Sequence, residues 1–332
     1  MSAERGGVDP SAANAGADSL GSAAAASRRG RLWLFNLDAE IELARRSGPY
    51  QTPLRVARAL APMLDRAQAL MAPEDESLDP LAPMRRASPM AAAPEDEGRR
   101  SGERRLGCAW CPTPSALARL ARAGAELPPC PSVEVLGRVN HRRFAIELGA
   151  GAPGARFVSD EGALAETLAE PRGAWLFKRA YGFAGRGQRR IIGVPTKDDR
   201  RWLSDSLRLG GFVAEPWLEL VREVALHGLI DASGSFGLGR ICVQETNEFR
   251  AWVSTRLALA EDLSGAQASQ LTERAEQVAT ALIAAGYFGP FGIDAYLFRT
   301  RSGGVELNPL SELNARYSMG FAVGCPVLAN RD

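Results

Sequence analysis

A lysine at the end of an apolar run, followed by a glycine-rich loop, is the first feature of this sequence that is suited to chemistry. Residues 174–177 lead into Lys178, and Gly182, Gly185 and Gly187 follow it. Glycines let backbone N–H groups approach phosphate oxygens closely, and a lysine supplies a positive charge to the same oxygens. Gly-Lys-Ser/Thr is missing and no helix start follows the glycines, so this is neither the usual phosphate-binding loop nor a dinucleotide fingerprint. Taken alone, the segment fits a glycine-rich hairpin turn equally well.

Two carboxylates lie further along the chain, around a predicted turn. The strand-like residues 212–214 end on Glu215 and Pro216, and Glu223 lies eight residues after Glu215. A strand that ends in a turn can bind a flat base through backbone groups, and a carboxylate can accept hydrogen bonds from ribose hydroxyls. The alternative is a strand, a turn and a second strand with charges on the surface.

Carboxylate and amide side chains occur together in two copies of Glu-x-Asn, Glu306/Asn308 and Glu312/Asn314. Side chains alternate along a strand, so each copy places a carboxylate and an amide oxygen on one face. Asp294, on the preceding predicted strand, would complete an all-oxygen site suited to Mg²⁺ that holds nucleotide phosphates.

The length of the turn decides which copy faces Asp294. A turn centred near residue 304 would place Asp294 opposite Asn314, and a tighter turn near 301 would place it opposite Asn308. Both pairs therefore remain candidates at this point. A polar hairpin with one solvated face is the alternative to a metal site.

Composition excludes several classes of function. The chain has 332 residues, about two domains' worth, with 40 Lys plus Arg against 39 Asp plus Glu. A net charge of +1 lacks the basic excess typical of nucleic-acid and membrane-surface proteins. No stretch approaches the roughly 18–20 apolar residues of a transmembrane helix. We expect no nucleic-acid partner and no membrane partner.

Two segments and one cysteine pair stand apart from the predicted folded units. Small residues dominate 1–30, which we predict to be a disordered tail, and the Pro-, Ala- and charge-rich segment at about 72–105 is predicted to be a flexible insertion. The C-x-x-C at Cys108 and Cys111 is predicted to pack structurally, because the chain holds no second such motif and only two histidines. With five cysteines and no credible signal peptide, we expect a cytoplasmic protein.

Hydrophobic patterning predicts the elements that position these residues. A strand at 32–37 and helix starts at Thr52-Pro53 and Thr113-Pro114 indicate a small α/β unit over 31–135. A helix from Asn140 to Leu148 opens the second half. Predicted strands there are 174–178, 190–194, 212–215, 224–230, 291–298 and a return strand ending near 316, and Ser264 begins a long helix that ends at Gly286. This pattern is typical of an α+β domain over 136–332.

The order of these features resembles the ATP-grasp superfamily, which includes D-alanine–D-alanine ligase, biotin carboxylase and the large subunit of carbamoyl-phosphate synthetase. That order is strand lysine, glycine loop, Glu-Pro hinge, aspartate, then Glu-x-Asn-x-Arg. The resemblance covers about 135–320, and the unit at 31–135 resembles the pre-ATP-grasp domain. It implies an α/β and α+β fold in which two α+β subdomains sandwich a nucleotide after a small α/β domain.

The resemblance assigns ATP-binding roles residue by residue. Lys178 would contact the α- and β-phosphates, the three glycines would form the flexible loop that closes over them, and Glu215 would lie near the adenine amine. Glu223 would be the ribose carboxylate, and Arg142 occupies the place of an earlier family lysine. The implied ATP-binding set is Lys178, Gly182, Gly185, Gly187, Glu215, Glu223 and Arg142.

The resemblance also implies the metal ligands, Asp294, Glu312 and Asn314. The second Glu-x-Asn is preferred because the family often continues as Asn-x-Arg. Arg316 stands two residues after Asn314, whereas Leu310 stands two residues after Asn308. Arg316 would then meet the phosphate or an acyl phosphate, which makes Arg316 and Lys178 the implied catalytic residues.

The activity implied is an ADP-forming ligase that uses ATP and Mg²⁺, with Mn²⁺ as an alternative ion, to join a carboxylate to an amine through an acyl phosphate. Its expected partners are small carboxylate and amine substrates, amino-acid or peptide-like. Gly292 stands where D-alanine–D-alanine ligase keeps an arginine, which argues against that activity. A small-molecule kinase of the same fold, and a nucleotide-binding sensor or scaffold without turnover, are the alternatives.

Overall fold

The computed structural model describes residues 30–45, 48–79, 104–171, 173–182, 186–246 and 252–325. The predicted tail, apart from residue 30, and residues 80–103 of the predicted insertion lie outside these ranges. Within the described ranges the chain forms three sheets. No helix among them is both long enough and apolar enough to cross a membrane.

The first unit is built on a short parallel sheet. Its central strand β1 (Arg31–Leu34) lies between β2 (Glu76–Leu78) and β3 (Leu106–Ala109). Both faces of β1 are covered, which is why its apolar residues are consecutive. Leu32 and Leu34 pack against α3 (Pro114–Arg122), and Trp33 packs into the main core on the other face. The start of the segment predicted as an insertion therefore belongs to this sheet.

Helices lead from this unit to the second half of the chain. They are α1 (Ala39–Leu43), α2 (Leu54–Ala67) with a 3-10 turn (Gln68–Leu70), α3, α4 (Val133–Val139) and α5 (Arg142–Glu147). The helix predicted from Asn140 begins at Arg142 instead, because the ring of His141 caps it by accepting the N–H of Arg143. Asn140 ends α4, and its side chain exchanges two hydrogen bonds with the backbone of Ala315.

A four-stranded antiparallel sheet follows. Its strands in spatial order are β4 (Arg156–Val158), β7 (Phe212–Pro216), β5 (Ala174–Arg179) and β6 (Gln188–Ile192). The helices α6 (Glu161–Ala169) and α7 (Lys197–Arg208) cover one face, where Phe177 and Phe212 lie in the core. Side chains alternate along a strand, so Lys178 and Glu215 point to the opposite face, which α6 and α7 do not cover. The strand predicted at 190–194 lies at 188–192.

The last sheet has six strands, in the order β11 (Trp252–Leu257), β10 (Cys242–Thr246), β8 (Leu220–Ile230), β12 (Gly289–Arg299) and β13 (Val305–Asn314), with β9 (Phe236–Leu238) paired to β8. The long helix α8 (Gly265–Ala284) packs on one face. Its predicted start is confirmed, since Ser264 and Gln267 form a capping box. The described chain ends with the short helix α9 (Phe321–Gly324).

The free faces of the two larger sheets enclose a cleft. Leu226 and Ile293 pack toward α8, so Glu223, His227 and Asp294 lie on the cleft side of the sheet. The fold predicted from the resemblance is therefore the one observed: a small α/β unit precedes two α+β subdomains that face each other across a cleft.

Candidate functional site

The cleft between the two sheets has a volume of about 700 Å³. This lies within the range of about 300–1,000 Å³ that small-molecule sites occupy. The four-stranded sheet contributes one wall, the six-stranded sheet the other, and the first α/β unit closes one end with Leu37, Met63 and Trp110.

Lys178 and Glu215 form an ion pair in the wall made by the four-stranded sheet. Leu176 lies opposite Glu215 in the β5–β7 ladder. Lys178 is two residues after Leu176, so its side chain is the next one along β5 on the same face as Glu215. Lys178 Nζ lies 2.5 Å from Glu215 Oε1, and both side chains are at least nine-tenths buried. The second oxygen of Glu215 accepts the backbone N–H of Ala152. Buried charges persist only when they are paired in this way.

The described part of the glycine loop closes against Arg142. A Cβ on Gly182 would lie 2.8 Å from the Arg186 carbonyl oxygen and 3.2 Å from the Arg142 guanidinium, so a larger residue would displace one of them. Gly187 has φ +78°, a conformation that favours glycine. Gly185, the remaining predicted glycine, lies outside the described residues.

Arg142 joins the two subdomains. Its Nη1 lies 2.8 Å from Glu312 Oε2, and its Nε–H donates to the carbonyl of Arg179 at 3.1 Å. Burial alone would lower the pKa of Arg142, but the nearby charge of Glu312 raises it above its ordinary value. Burial conversely raises the pKa of Glu312, but the charge and hydrogen bond of Arg142, together with the charges of Lys178 and Arg316, lower it overall. Both groups are therefore charged at neutral pH.

Asp294 lies at the centre of the wall made by the six-stranded sheet. Gln244 donates to its Oδ1 at 2.6 Å, and Asn314 donates to its Oδ2 at 3.0 Å. Burial, and then the negative charge of Glu312, raise the pKa of Asp294 to about 6. Two carboxylates that repel each other within a buried site are suited to a bound cation.

The strand register decides between the two Glu-x-Asn pairs. Asp294 lies opposite Glu312, and Asn314 lies opposite Gly292. Both predicted registers were wrong. The turn is tight, with Thr300 N–H donating to Gly304, but a bulge between Asp294 and Tyr296 then shifts the ladder.

The first Glu-x-Asn pair lies away from Asp294. Asn308 faces Tyr296 in the ladder and donates to the carbonyl of Gly151 at 2.9 Å. Glu306 is exposed, near the turn. The preferred pair, Glu312 and Asn314, is thus the one that the fold brings next to Asp294.

Arg316 is buried beside the first α/β unit. Its Nε and Nη2 both lie 2.5 Å from Glu40 Oε1, and its guanidinium lies over the ring of Trp110 at 5.7 Å. Burial would lower the pKa of Arg316, but the charge and hydrogen bond of Glu40, with smaller contributions from Cys111 and Glu312, raise it overall. The side chain lines the same cleft as Asp294.

Glu223 completes the predicted set on the wall made by β8. It lies between Gln244 of β10 and Tyr296 of β12 in the ladder, and it lines the cleft. The structure therefore gathers Lys178, Gly182, Gly187, Glu215, Glu223, Arg142, Asp294, Glu312, Asn314 and Arg316 in or beside one cleft.

The C-x-x-C cysteines behave as buried packing residues. Cys108 and Cys111 are free thiols, and Cys111 is fully buried. Burial raises the pKa of Cys108 to about 12 and raises that of Cys111 as well, which disfavours the thiolate that redox or metal chemistry needs. Within the part of the chain that the structure describes, no group of three or more His, Cys, Asp or Glu side chains forms a metal site.

The donor set at Asp294 nevertheless fits a hard cation. It consists of two carboxylates and one amide, Asp294, Glu312 and Asn314, and the amide counts as an oxygen donor for Mg²⁺. Burial, and then the charge of Glu312, raise the pKa of Asp294, so a bound cation would stabilise its ionised form. These three residues are the ones able to hold such an ion.

Sequence reasoning did not find several residues of the cleft. Gln244, which orients Asp294, sits on a strand that was not predicted, although alternation with the buried Val243 was a usable signal. Glu40 and Trp110 come from the first unit, and no local pattern links them to Arg316. His227 and Ser318 also line the cleft.

Sequence comparison identifies no relative of this chain. No model of a known protein family matches it, and no curated protein sequence does.

Comparison of the backbone with solved structures does give matches. An ADP complex of N5-carboxyaminoimidazole ribonucleotide synthetase matches with 17% identity and a TM-score of 0.45, over 64% of this chain and 54% of that one. The Staphylococcus aureus N5-carboxyaminoimidazole synthetase with ADP matches at 14% and 0.44, over 68% and 61%. Biotin carboxylase from Campylobacter jejuni, in a β,γ-ATP complex, matches at 16% and 0.46, over 63% and 47%. The chain thus spans roughly half to three-fifths of the length of these proteins.

Proposed function

We propose that this chain is a member of the ATP-grasp superfamily and acts as an ATP- and Mg²⁺-dependent ligase that joins a carboxylate to an amine. One observation carries the proposal. Three parts of the fold that are distant in sequence place buried basic groups and a carboxylate–amide cluster in one cleft. The residues concerned are Arg142, Lys178, Asp294, Glu312, Asn314 and Arg316.

The nucleotide base would lie at the β7 end of the cleft. Trp217 and Leu218 follow Glu215 there, and Leu176 and Tyr296 line the same region. These side chains offer apolar surface to a flat ring, while backbone groups of the hinge can read its edge. Glu223 would accept hydrogen bonds from the ribose hydroxyls.

The triphosphate would extend from the ribose toward the carboxylate cluster. Asp294, Glu312 and Asn314 would hold Mg²⁺, and a bound ion would neutralise phosphate charge there. Mn²⁺ takes similar oxygen ligands and is the alternative ion. Lys178 and Arg142 would contact phosphate oxygens from the opposite wall.

The reaction needs no side-chain nucleophile. An oxygen of the acceptor carboxylate would attack the γ-phosphorus, and the bond to the bridging oxygen would break to release ADP. The amine nitrogen would then attack the acyl carbon, inorganic phosphate would leave, and the nitrogen would lose a proton. This chain would contribute positioning and charge neutralisation, the latter through Lys178 and Arg316.

The ion pairs of the cleft support this division of roles. Each of the three basic groups named is held by a carboxylate: Lys178 by Glu215, Arg142 by Glu312 and Arg316 by Glu40. Pairing fixes the position of each cation before a ligand arrives, so binding a polyanion costs little reorganisation. The substrates proposed are a small carboxylic acid and an amine, amino-acid or peptide-like.

The proposed function is tested by trapping its intermediate. Purified protein with ATP, Mg²⁺ and a panel of carboxylic acids is incubated with hydroxylamine, which converts an acyl phosphate to a hydroxamate. Hydroxamate formed in equal amount to ADP supports the ligase. A phosphorylated product without hydroxamate would show a kinase instead, and absence of ADP with every acid, together with unchanged ATP affinity in Asp294→Ala, would refute the proposal. Glu306→Gln is the matched control outside the cleft.

A further inference from the structure

His227 occupies a defined place in the cleft that the proposed nucleotide and cation sites leave unused. In the β8–β12 ladder, Glu223 lies opposite Tyr296, Ala225 opposite Asp294, and His227 opposite Gly292. Along β8 the order is therefore Glu223, the proposed ribose carboxylate, then Ala225 opposite the proposed cation site, and then His227. Four residues of strand span about 13 Å. In the proposed arrangement His227 would thus lie beyond the phosphates, on the side where the phosphoryl acceptor would bind.

Glycines surround the His227 imidazole at positions where any larger residue would collide with the ring or crowd it. A Cβ on Gly292 would lie 2.8 Å from His227 Cδ2, and one on Gly320 would lie 2.6 Å from Cε1. On the far side, a Cβ on Gly324 would lie 3.2 Å from Nδ1. Two segments, β12 with Gly292 and the α9 segment with Gly320 and Gly324, lack a side chain where this ring needs room, so backbone confines the ring.

Three side-chain atoms in or beside the cleft are fully buried and have no hydrogen-bond partner within the described part of the chain. They are His227 Nδ1, Ser318 Oγ and Glu40 Oε2, the last being the second oxygen of the carboxylate that pairs with Arg316. An unpaired buried polar atom costs about 1–3 kcal/mol, so its retention needs a reason. His227 is only 1% exposed overall, yet it lines the cleft.

The ring presents a donor to the cleft. Burial lowers the pKa of His227 to about 4, and the Cys242 thiol packed nearby has a pKa raised to about 11, so both are neutral at pH 7. Nδ1 faces Gly324 and finds no acceptor, so a neutral ring carries its proton on Nε2. That N–H is the hydrogen-bonding group left for a ligand.

The surroundings favour one kind of ligand. Ser318 adds a hydroxyl beside the ring, since a Cβ on Gly292 would lie 3.3 Å from Ser318 Oγ and 2.8 Å from His227 Cδ2. The cation of Arg316, paired to Glu40, lines the same cleft, and the end of the cleft formed by the first unit is apolar, with Leu37, Met63 and Trp110. Donors at one end and apolar surface beside them match a carboxylate attached to an apolar group.

We propose that His227 and Ser318 form the acceptor subsite, which takes a small carboxylic acid bearing an apolar or aromatic group, with its carboxylate accepting a hydrogen bond from His227 Nε2–H. This inference rests on the proposed function and specifies the acceptor of that reaction. Holding one carboxylate oxygen at His227 leaves the other free to approach the γ-phosphorus beside Asp294.

Imidazole NMR on the full chain tests the subsite directly, because the sequence has only two histidines. His141→Gln assigns the His227 signals in protein labelled with ¹⁵N-histidine. The probes are 3-phenylpropanoate and 3-phenylpropan-1-ol, titrated in the presence of MgADP. We expect the acid to shift the His227 Nε2 and its attached proton, and the alcohol to bind at least about tenfold more weakly. Equal shifts from acid and alcohol, or no shift from either, would overturn the inference.

Two variants supply the second measurement. His227→Leu removes the donor and is expected to raise the dissociation constant of the acid by about ten- to a hundredfold, while His227→Gln, which keeps an N–H donor at similar reach, stays closer to wild type. ATP affinity should not change in either. If the Leu variant fails to fold, the wild-type titration still decides. If the wild type does not bind MgATP, the proposed function is refuted. If it binds MgATP but the His227 NMR signals do not change when the acid is added, only this inference is refuted.

Discussion

Arg142 Nη1 lies 2.8 Å from Glu312 Oε2, so a residue at the start of α5 is joined to the strand that ends the six-stranded sheet. Arg142 also donates to the backbone of Arg179, in β5 of the facing sheet. One guanidinium therefore bridges both walls of the cleft. In the proposed function this same group contacts phosphate, which would couple nucleotide binding to the spacing of the two sheets.

The pair formed by Glu40 and Arg316 is expected to stabilise the contact between the first unit and the cleft. Both side chains are at least nine-tenths buried, so Glu40→Leu would leave a buried guanidinium without its carboxylate and lower the free energy of unfolding by about 3–5 kcal/mol. Replacing both, in Glu40→Leu/Arg316→Met, should cost less than Glu40→Leu alone. Urea denaturation measures all three.

The matched control is the exposed pair Arg299–Glu219, which has a similar separation of 3.0 Å. Glu219→Leu should change the free energy of unfolding by less than about 1 kcal/mol. A cost for Glu40→Leu as small as that for Glu219→Leu would contradict the account of this pair.

Acidification is expected to destabilise the fold through His227. Its pKa is about 4 in the folded chain and about 6.5 in an unfolded one, because burial disfavours the charged ring. The folded state therefore binds fewer protons between these values. The stability from this group is complete above pH 6.5 and is lost as the pH falls toward 4.

The measurement compares wild type with His227→Gln by urea denaturation at pH 8 and at pH 4. The stability of the wild type relative to the variant should fall by about 3 kcal/mol over this range. His141→Gln is the control, since burial and the charge of Arg143 lower that pKa too, but the ring is partly exposed and should contribute less. A constant difference between wild type and His227→Gln across the range would contradict the burial of a neutral ring.

Gly320 should tolerate no side chain, although its φ of −81° suits any residue. In Gly320→Ala the new Cβ would lie 2.6 Å from His227 Cε1. The ring has little room to move away, because the backbone at Gly324 lies close to Nδ1 on its other side. We expect a loss of about 1–3 kcal/mol in the free energy of unfolding and a displaced His227 ring, visible in its NMR signals. Gly265→Ala, in the open first turn of α8, should be neutral or stabilising. A Gly320→Ala variant as stable as wild type would show that the ring is not confined.

Local features were predictable from the sequence, and distant ones were not. The start of α8 followed from Ser264, because capping depends on residues three positions apart. The period-two alternation correctly placed Glu312 and Asn314 on one face of their strand, since both line the cleft. By contrast, the Asp294–Glu312 register depends on a bulge, and nothing in the sequence of the hairpin marks it.

The partners of the site residues were the least predictable part. Glu40 and Arg316 are 276 positions apart, and their contact exists only because the first unit packs on the end of the cleft. Gln244 and His227 lie on β10 and β8, and their roles depend on which strands are neighbours. Residue types and order were enough to propose the cation ligands, whereas the residues that hold these side chains in place could be found only from the fold.

The most direct test of the central claim is calorimetric titration of ATP, with Mg²⁺ and with EDTA, into wild type, Glu312→Gln and Glu306→Gln. The two variants make the same change in the two Glu-x-Asn pairs of one strand. We predict that Mg²⁺ raises ATP affinity at least about tenfold in wild type and in Glu306→Gln, and that this increment disappears in Glu312→Gln. ATP affinity independent of Mg²⁺ in wild type, or loss of the increment in Glu306→Gln but not in Glu312→Gln, would contradict the account.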